Sequence, residues 1–552
     1  MNAVATDKHL ARHPRRRWTQ LRPAMALSAA LTVALLPEAR AALTDNLLTS
    51  PTAMSLGNAV TADPPDIESI HFNPAGLARL TGEMDTKTFL GASVRTSASF
   101  HAPSGFDIGG FTQDPLDGTQ TGPVRQAIYI PILGMPGKRL PAVVLPGLGF
   151  SFNKPGSRFT FATMSYLSEA MSVDRTEDPN DPGRFDGRLV QLQRLVYLSP
   201  AVGYKISDTL RVGVAVPIAH SAFALNTDMR MPNTLIGITG KIQEGWCPKD
   251  GGNPIDTLTF GLCGGGEAGR LNPFKRAANM DLSMTAPVDP TINLGVLWEP
   301  IDQFALGMVY QSGSKAVHTG TYQFTTDPML RNFVSGLYSS LLGPIVASVL
   351  GMPQSIPEVQ SGYVTATIPF PSHFQIGVKV KPVKYLQLNV DANYTDWGSW
   401  DALTMKFDQS IKLLEVARMF GVTDSTQLVM PRGYRSVWHW GFGVQAKITH
   451  ELTLRAGYEP RKSSIPADKI DLVAPMPDSK MYSVGFNYRI DRKSDINFGA
   501  SYLKGDFNVP ANTSCNLNCT NFLNVIYNPY AGLDVSGGIR VRYFGISYNE
   551  RF

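Results

Sequence analysis

"FQIGVKVKPVKYLQLNVDANY", residues 374–394, alternates with a period of two on both sides of a short turn. Phe374, Ile376, Val378 and Val380 share one face of the first run, with Gln375, Gly377, Lys379 and Lys381 on the other. After Pro382-Val383-Lys384, Leu386, Leu388, Val390, Ala392 and Tyr394 oppose Gln387, Asn389, Asp391 and Asn393. Successive side chains of a strand point to opposite faces, so each run reads as a strand and the pair as a hairpin. The pattern recurs outward from this hairpin. Trp438, Trp440, Phe442, Val444, Ala446 and Ile448 alternate with polar or glycine neighbours, as do Tyr482, Val484, Phe486, Tyr488 and Ile490. Ile496, Phe498, Ala500 and Tyr502 follow a tight "DRKSD" turn, and Ile292, Leu294, Val296 and Trp298 repeat the alternation earlier in the chain.

A soluble β-sandwich and a membrane barrel both alternate. Here the polar faces are rich in Gly and small polar groups, aromatics gather near strand ends, and short turns alternate with long loops, as in outer-membrane barrels. In lipid only a closed barrel satisfies every strand's backbone groups. No apolar run of the roughly 18 residues that a membrane helix needs follows residue 41. The last stretch, "RVRYFGISYNERF" (540–552), places Phe544, Ile546, Tyr548 and Phe552 on one face, with Glu550 among them. Its aromatic ending resembles the signal read by outer-membrane assembly machinery. The fold class expected is all-β: a closed antiparallel transmembrane β-barrel.

Of 552 residues, 43% are apolar and 17% charged, below the usual charged share of about 25%. The net charge of +5 belongs to the first 41 residues, which carry Lys8 and six arginines against Asp7 and Glu38. That stretch has the basic, apolar and Ala39-Arg40-Ala41 regions of a secretory signal peptide. The remainder is balanced in charge, which gives no argument for a nucleic-acid partner. Four cysteines, Cys247, Cys263, Cys515 and Cys519, in an exported chain point to disulfides. Three connectivities are open, and pairing of sequence neighbours is the economical one. No His or further Cys stands at ligand spacing beside either pair, so no metal or other cofactor is expected. Two loops carry apolar helical patterns. Residues 328–353 are strongly apolar but broken by Gly336, Gly343 and Pro344, and 408–420 could present Ile411, Leu414, Ala417 and Phe420 on one face. An exposed apolar loop patch would suit capture of apolar ligands, and Phe333, Leu337 and Leu341 are the residues singled out for it.

"SLGNAVTADPPDIESIHFNPAGLARL" (55–80) resembles the amino-terminal plug of the FadL-type family of outer-membrane transporters for long-chain fatty acids and aromatic hydrocarbons. Gly57-Asn58-Ala59, Asp66 and above all Asn73, Pro74, Ala75, Gly76 and Leu77 carry the likeness. "YTDWGSW" (394–400), the hairpins within 434–460 and 478–490, and the final strand follow in the family's order. Pro64-Pro65 and Glu68 depart from the small residues usual before the motif. The resemblance implies fourteen strands, with residues 1–41 as signal peptide, 42–82 as a plug (hatch) in the lumen, and 83–552 as barrel with long extracellular loops. Asn73, Pro74, Ala75 and Gly76 would form the gate, and Arg230 falls where a cation could meet a ligand carboxylate. The implied function is passive uptake of hydrophobic molecules across the Gram-negative outer membrane, captured at the loops and released by plug rearrangement and lateral diffusion. Implied partners are those molecules, outer-membrane lipid and lipopolysaccharide, and the assembly machinery through Phe552, for a monomer. A general porin for polar solutes shares the barrel but needs no plug. An outer-membrane lipase would need a nucleophile; no G-x-S-x-G or P-loop occurs, and His101, His220, His373 and His439 stand isolated in sequence, so no enzyme is expected.

Overall fold

The computed structural model describes residues 49–130, 135–140, 143–249, 252–520 and 528–552; the expected signal peptide and the first residues of the expected plug lie outside them. Fourteen antiparallel strands form the wall. Strands β1 (Gly82–His101), β2 (Val143–Asn153) and β3 (Phe159–Asp174) are continuous. The next seven each run in two pieces. They are β4 (Leu189–Leu198, Ala201–Lys205), β5 (Leu210–Ala215, Ile218–Arg230), β6 (Arg276–Pro290, Asn293–Ile301) and β7 (Phe304–Gln311, Ser314–Thr326). Then come β8 (Val359–Phe370, His373–Val383), β9 (Leu386–Thr395, Ala402–Phe407) and β10 (Gln427–Pro431, Val437–Lys447). Strands β11 (Leu452–Arg461), β12 (Ser479–Arg489), β13 (Ser494–Val509) and β14 (Asp534–Arg551) complete the set. β14 pairs with β1 from Met84↔Arg551 to His101↔Asp534, which closes the barrel and leaves no free edge there. A small hairpin, Gln126–Ile130 with Met135–Leu140, is added in the first long loop.

The breaks in β4, β5 and β8 contain Pro200, Pro217 and Pro371. Proline has no N–H to give to a ladder and bends the strand where it sits. The breaks divide the wall into two tiers with opposite chemistry. In the tier next to the short turns, the apolar face points outward: Val484 is 59% exposed while its neighbour Ser483 is 4%. Gln375, Lys379, Gln387, Asn389 and Asp391 of the opening hairpin are buried inward. A sandwich would bury the other face, so the polar-in, apolar-out pattern decides for a barrel in lipid.

In the tier next to the long loops the faces exchange. Asp281, Ser283, Thr319, Thr321, Thr365 and Thr367 point outward. Met280, Leu282, Met284, Tyr322, Phe324, Met405 and Phe407 point inward, where they form one apolar cluster. The Thr- and Ser-rich outer surface suits a wall that rises out of the hydrocarbon. The inward Met and aromatic lining has no water to face in a filled lumen. A strand that kept one apolar face throughout would have failed in one of these two surroundings.

Candidate functional site

Residues 49–81 lie within the polar tier and touch strands around most of its circumference. Short helical turns, Pro51–Ser55, Ser69–Phe72 and Pro74–Arg79, fold the segment into a compact body. Ala53, Leu56, Val60, Ile67, Ile70, Phe72, Ala75 and Leu77 are buried. The wall meets it with glycines. A Cβ on Gly213 (β5) would lie 2.2 Å from the Pro74 carbonyl, and one on Gly295 (β6) 2.1 Å from Asn73 Oδ1. Across the lumen, Cβ atoms on Gly457 (β11) and Gly499 (β13) would come within 2.1 Å of Gly57 N and 2.2 Å of Pro51 O. Backbone can approach backbone this closely only where no side chain intervenes. The glycines sit opposite one another across the ladder: Gly213 pairs with Gly203 and Gly295, and Gly499 with Gly485 and Gly545. Gly57 itself has φ +60°, where L side chains are strained, because the chain reverses there against Tyr458 and Phe442.

Asn73 is the best-anchored side chain of the motif. Its Nδ2 donates to the Thr61 carbonyl at 2.8 Å and to the Val296 carbonyl of β6 at 3.1 Å. Its Oδ1 accepts from Ala75 N at 3.1 Å, capping the turn that Pro74 begins. Asn73 therefore ties the segment to itself and to the wall at once. Gly76 is bare because a Cβ there would lie 2.5 Å from Pro64 Cγ, so the unusual Pro64-Pro65 entry packs directly on the motif.

Charged groups fasten the same body. Asp63 and Arg79 of the segment join Glu299 of β6 and Lys379 of β8: Arg79–Asp63 is 3.0 Å, Arg79–Glu299 2.6 Å, Lys379–Asp63 3.2 Å and Lys379–Glu299 3.1 Å. Arg211 of β5 adds a contact to Glu299 at 2.6 Å. Burial alone would raise Asp63, yet Arg79 and Lys379 hold its carboxyl below the ordinary range. Elsewhere Asn58 Nδ2 donates to Glu459 at 2.9 Å, and Thr61 N to Asp391 at 2.7 Å. Glu68 is enclosed with Ser50 and Thr88, whose hydroxyls donate to it, and burial pushes its carboxyl up to about 8. His71, against Tyr166, is driven down to about 3 by burial and by His373 and Arg194 nearby, and so stays neutral.

Above this filled tier lies the apolar one. Ile411 and Leu414 of the 408–420 loop reach into its cluster, and Ala417 and Phe420 are buried with them, so the amphipathic face expected from sequence is the packed one. A groove beside that loop is walled by Met229, Met231, Leu413, Val416 and Phe420. The sequence-derived loop residues separate. Phe333 and Leu337 are buried in a loop core with Leu330 and Val334, whereas Leu341 is 67% exposed. Leu341 continues into an exposed apolar surface with Ile255, Leu258, Phe260, Ile345 and Val349; its N–H bonds the Thr257 carbonyl. Arg230 lines two cavities but holds Asp114 with both terminal nitrogens at 2.8 Å, and its Nε donates to the Pro529 carbonyl. It is therefore occupied, not a waiting partner for a carboxylate. Disulfides join Cys247 to Cys263 and Cys515 to Cys519, each within a long loop.

Residues 30–552 match the family described as outer membrane protein transport protein (OMPP1/FadL/TodX). The chain belongs to this family. Its place is the outer membrane, and the family comprises transport channels, not enzymes. The long-chain fatty acid transport protein of Escherichia coli O6:H1 (strain CFT073) is 23% identical over 214 residues, 39% of this chain and 42% of that protein. The chain thus aligns with less than half of that relative's length. A Pseudomonas aeruginosa FadL homologue superposes with a TM-score of 0.64 at 17% identity, over 93% of this chain and 100% of that one. The Ralstonia pickettii toluene transporter TbuX gives 0.54 at 15%, over 91% and 98%. The Pseudomonas putida toluene transporter TodX gives 0.53 at 13%, over 90% and 98%. At these identities the likeness is one of fold.

The glycines that meet residues 49–81 and the Asp63–Arg79–Glu299–Lys379 cluster were missed by sequence reasoning. A signal did exist for the glycines, since they fall on the polar face of successive hairpins.

Proposed function

We propose that this member of the OMPP1/FadL/TodX family is a channel for passive uptake of hydrophobic small molecules across the outer membrane. The observation that carries the reading is the division of one lumen into a tier walled by apolar side chains on the long-loop side, the chamber of this reading, and a polar tier occupied by residues 49–81. An apolar molecule gains roughly 25 cal/mol per Å² of surface removed from water, so the chamber would draw it from the loops. The Leu341–Ile345–Val349 surface with Ile255 and Phe260 is the capture platform, in place of Phe333 and Leu337, which hold the loop together. Residues 49–81 act as the plug, and Asn73, Pro74, Ala75 and Gly76 as the piece that must leave the β5–β6 wall for cargo to pass. The β4–β10 breaks and the bulge between Leu167 and Glu169 of β3 give the wall a place to open sideways. The relatives' names, which mention long-chain fatty acids and toluene, agree with cargo of this kind. The outward Phe544, Ile546 and Tyr548 of β14, with Phe552 just after it, would be read by the assembly machinery, and the closed sheet needs no second copy. A general porin would leave the polar tier open to water, which suits this lumen poorly.

The test is uptake of radiolabelled toluene and of a long-chain fatty acid by a deletion strain with and without the restored gene. Restoration should raise uptake of at least one apolar probe and leave a small sugar unchanged. Asn73→Ala, which removes three hydrogen bonds worth on the order of 1 kcal/mol each, should alter that rate while the barrel still assembles. Restored sugar uptake with no apolar uptake would reject the reading.

A further inference from the structure

The charged groups around the chamber bear on what it admits. Three cavities border it, and two arginines line them: Arg230 in two, Arg194 in the third. Both are almost fully buried, the places where a free cation would dominate recognition of an anion. Neither is free. Arg230 makes the bidentate pair with Asp114 at 2.8 Å, and the Phe185, Phe274 and Tyr530 rings lie 5.3–5.7 Å from its guanidinium. Arg194 Nε meets Asp289 at 2.9 Å, Phe370 lies 5.2 Å from the guanidinium, and Ser168 and Thr291 take further donors. Neither Asp114 nor Asp289 lies near Arg194 or Arg230 in sequence; each comes from a different strand or loop. The cavity that contains Arg230 also presents Asp186 and Asp228, so its other charged side chains are acidic.

We infer that the chamber selects uncharged apolar cargo, hydrocarbons and their neutral derivatives, and rejects carboxylates, because Asp114 and Asp289 neutralise the two arginines that line its cavities. The inference rests on the proposed uptake function. A carboxylate entering the chamber gives up its hydration and meets, in the two arginines described along these cavities, cations already paired, while Asp186 and Asp228 line the wall beside Arg230. The bidentate Arg230–Asp114 pair has the geometry that an incoming carboxylate would need, and Asp289 holds Arg194 through Nε, so cargo must displace one of these aspartates to bind there. A neutral molecule of the same length meets no such cost. Asp114 and Asp289 are thus specificity-determining residues: they act through the arginines and need not touch cargo.

The test separates charge from shape with 1-decanol and decanoate, at about pH 8, where the acid is ionised. Each displaces tritiated toluene from the full-length protein in nanodiscs, with protein-free nanodiscs as the baseline. Decanol should compete at a free concentration at least about tenfold lower than decanoate, a ratio set by the unpaired charge. Asp114→Asn and Asp289→Asn, each checked for the folded barrel by gel mobility without heating, should narrow that ratio by freeing an arginine. Equal competition by the two probes in the native protein overturns the inference and leaves the uptake reading standing. Variants that shift both probes alike also overturn it. If neither toluene nor decanol binds saturably, the uptake reading falls and the inference with it.

Discussion

Glu68 shows how one residue can couple residues 49–81 to the wall around them. Its carboxyl is enclosed by Ser50 and Thr88, and burial raises it from 4.5 to about 8. An acid whose pKa is higher when docked binds more protons docked than free, so docking loses stability as pH rises between those two values. Below 4.5 the acid is protonated in both states and exerts no pull. Proteolysis of residues 49–81 in the purified protein should therefore quicken from about pH 5 to about pH 9, and Glu68→Gln should flatten the profile. A profile unaltered by the substitution would mean the carboxyl is satisfied as an anion. Sequence marked Glu68 only as an oddity before the Asn73-Pro74 motif. Its burial depends on where Thr88 of β1 comes to lie, which no local pattern states.

At the scale of elements, the hairpins were legible because a period of two is imposed by the strand itself. The outward faces of 374–394, 438–448 and 482–490 are those the alternation gives. The exchange of faces between tiers was not legible, since "VHTGTYQF" alternates equally well whichever side is wet. What fixes Tyr322 and Phe324 inward is the cluster they join from β6, β9 and the 408–420 loop. The loops were legible in part. Phe333 and Leu337 are one helical turn apart on a packed face, while Leu341 lies beyond the end of the helix at Leu337 and escapes it. Arg230, at the end of β5, was placed by likeness, but its partner Asp114 is in a loop distant in sequence, out of reach of any motif. The glycine seats make a prediction of their own. Gly213→Val would drive a side chain into Pro74 and cost about 1–3 kcal/mol in overpacking, all of it borne by the seating of residues 49–81 if the wall holds. The melting of the barrel should change little while the segment becomes sensitive to protease. A lowered barrel melting temperature with a still-protected segment would put the contact in the wall instead.

As a whole molecule, the barrel joins two solvents that exclude each other's solutes. Its outward apolar belt fits lipid, its inward apolar tier is a second apolar surface within the wall, and its polar tier is occupied by residues 49–81 of its own chain. The ion pairs at Asp63, Arg79, Glu299 and Lys379 and the glycine contacts around them fasten that segment to the wall without a covalent bond. The central claim is that the lumen is stoppered for water and ions in the resting protein. Single-channel recording of the full-length protein in a planar bilayer tests it directly. A stoppered lumen predicts an electrically quiet bilayer, with Gly213→Val admitting brief openings; steady ohmic steps from the native protein, as from an open porin, would contradict the account.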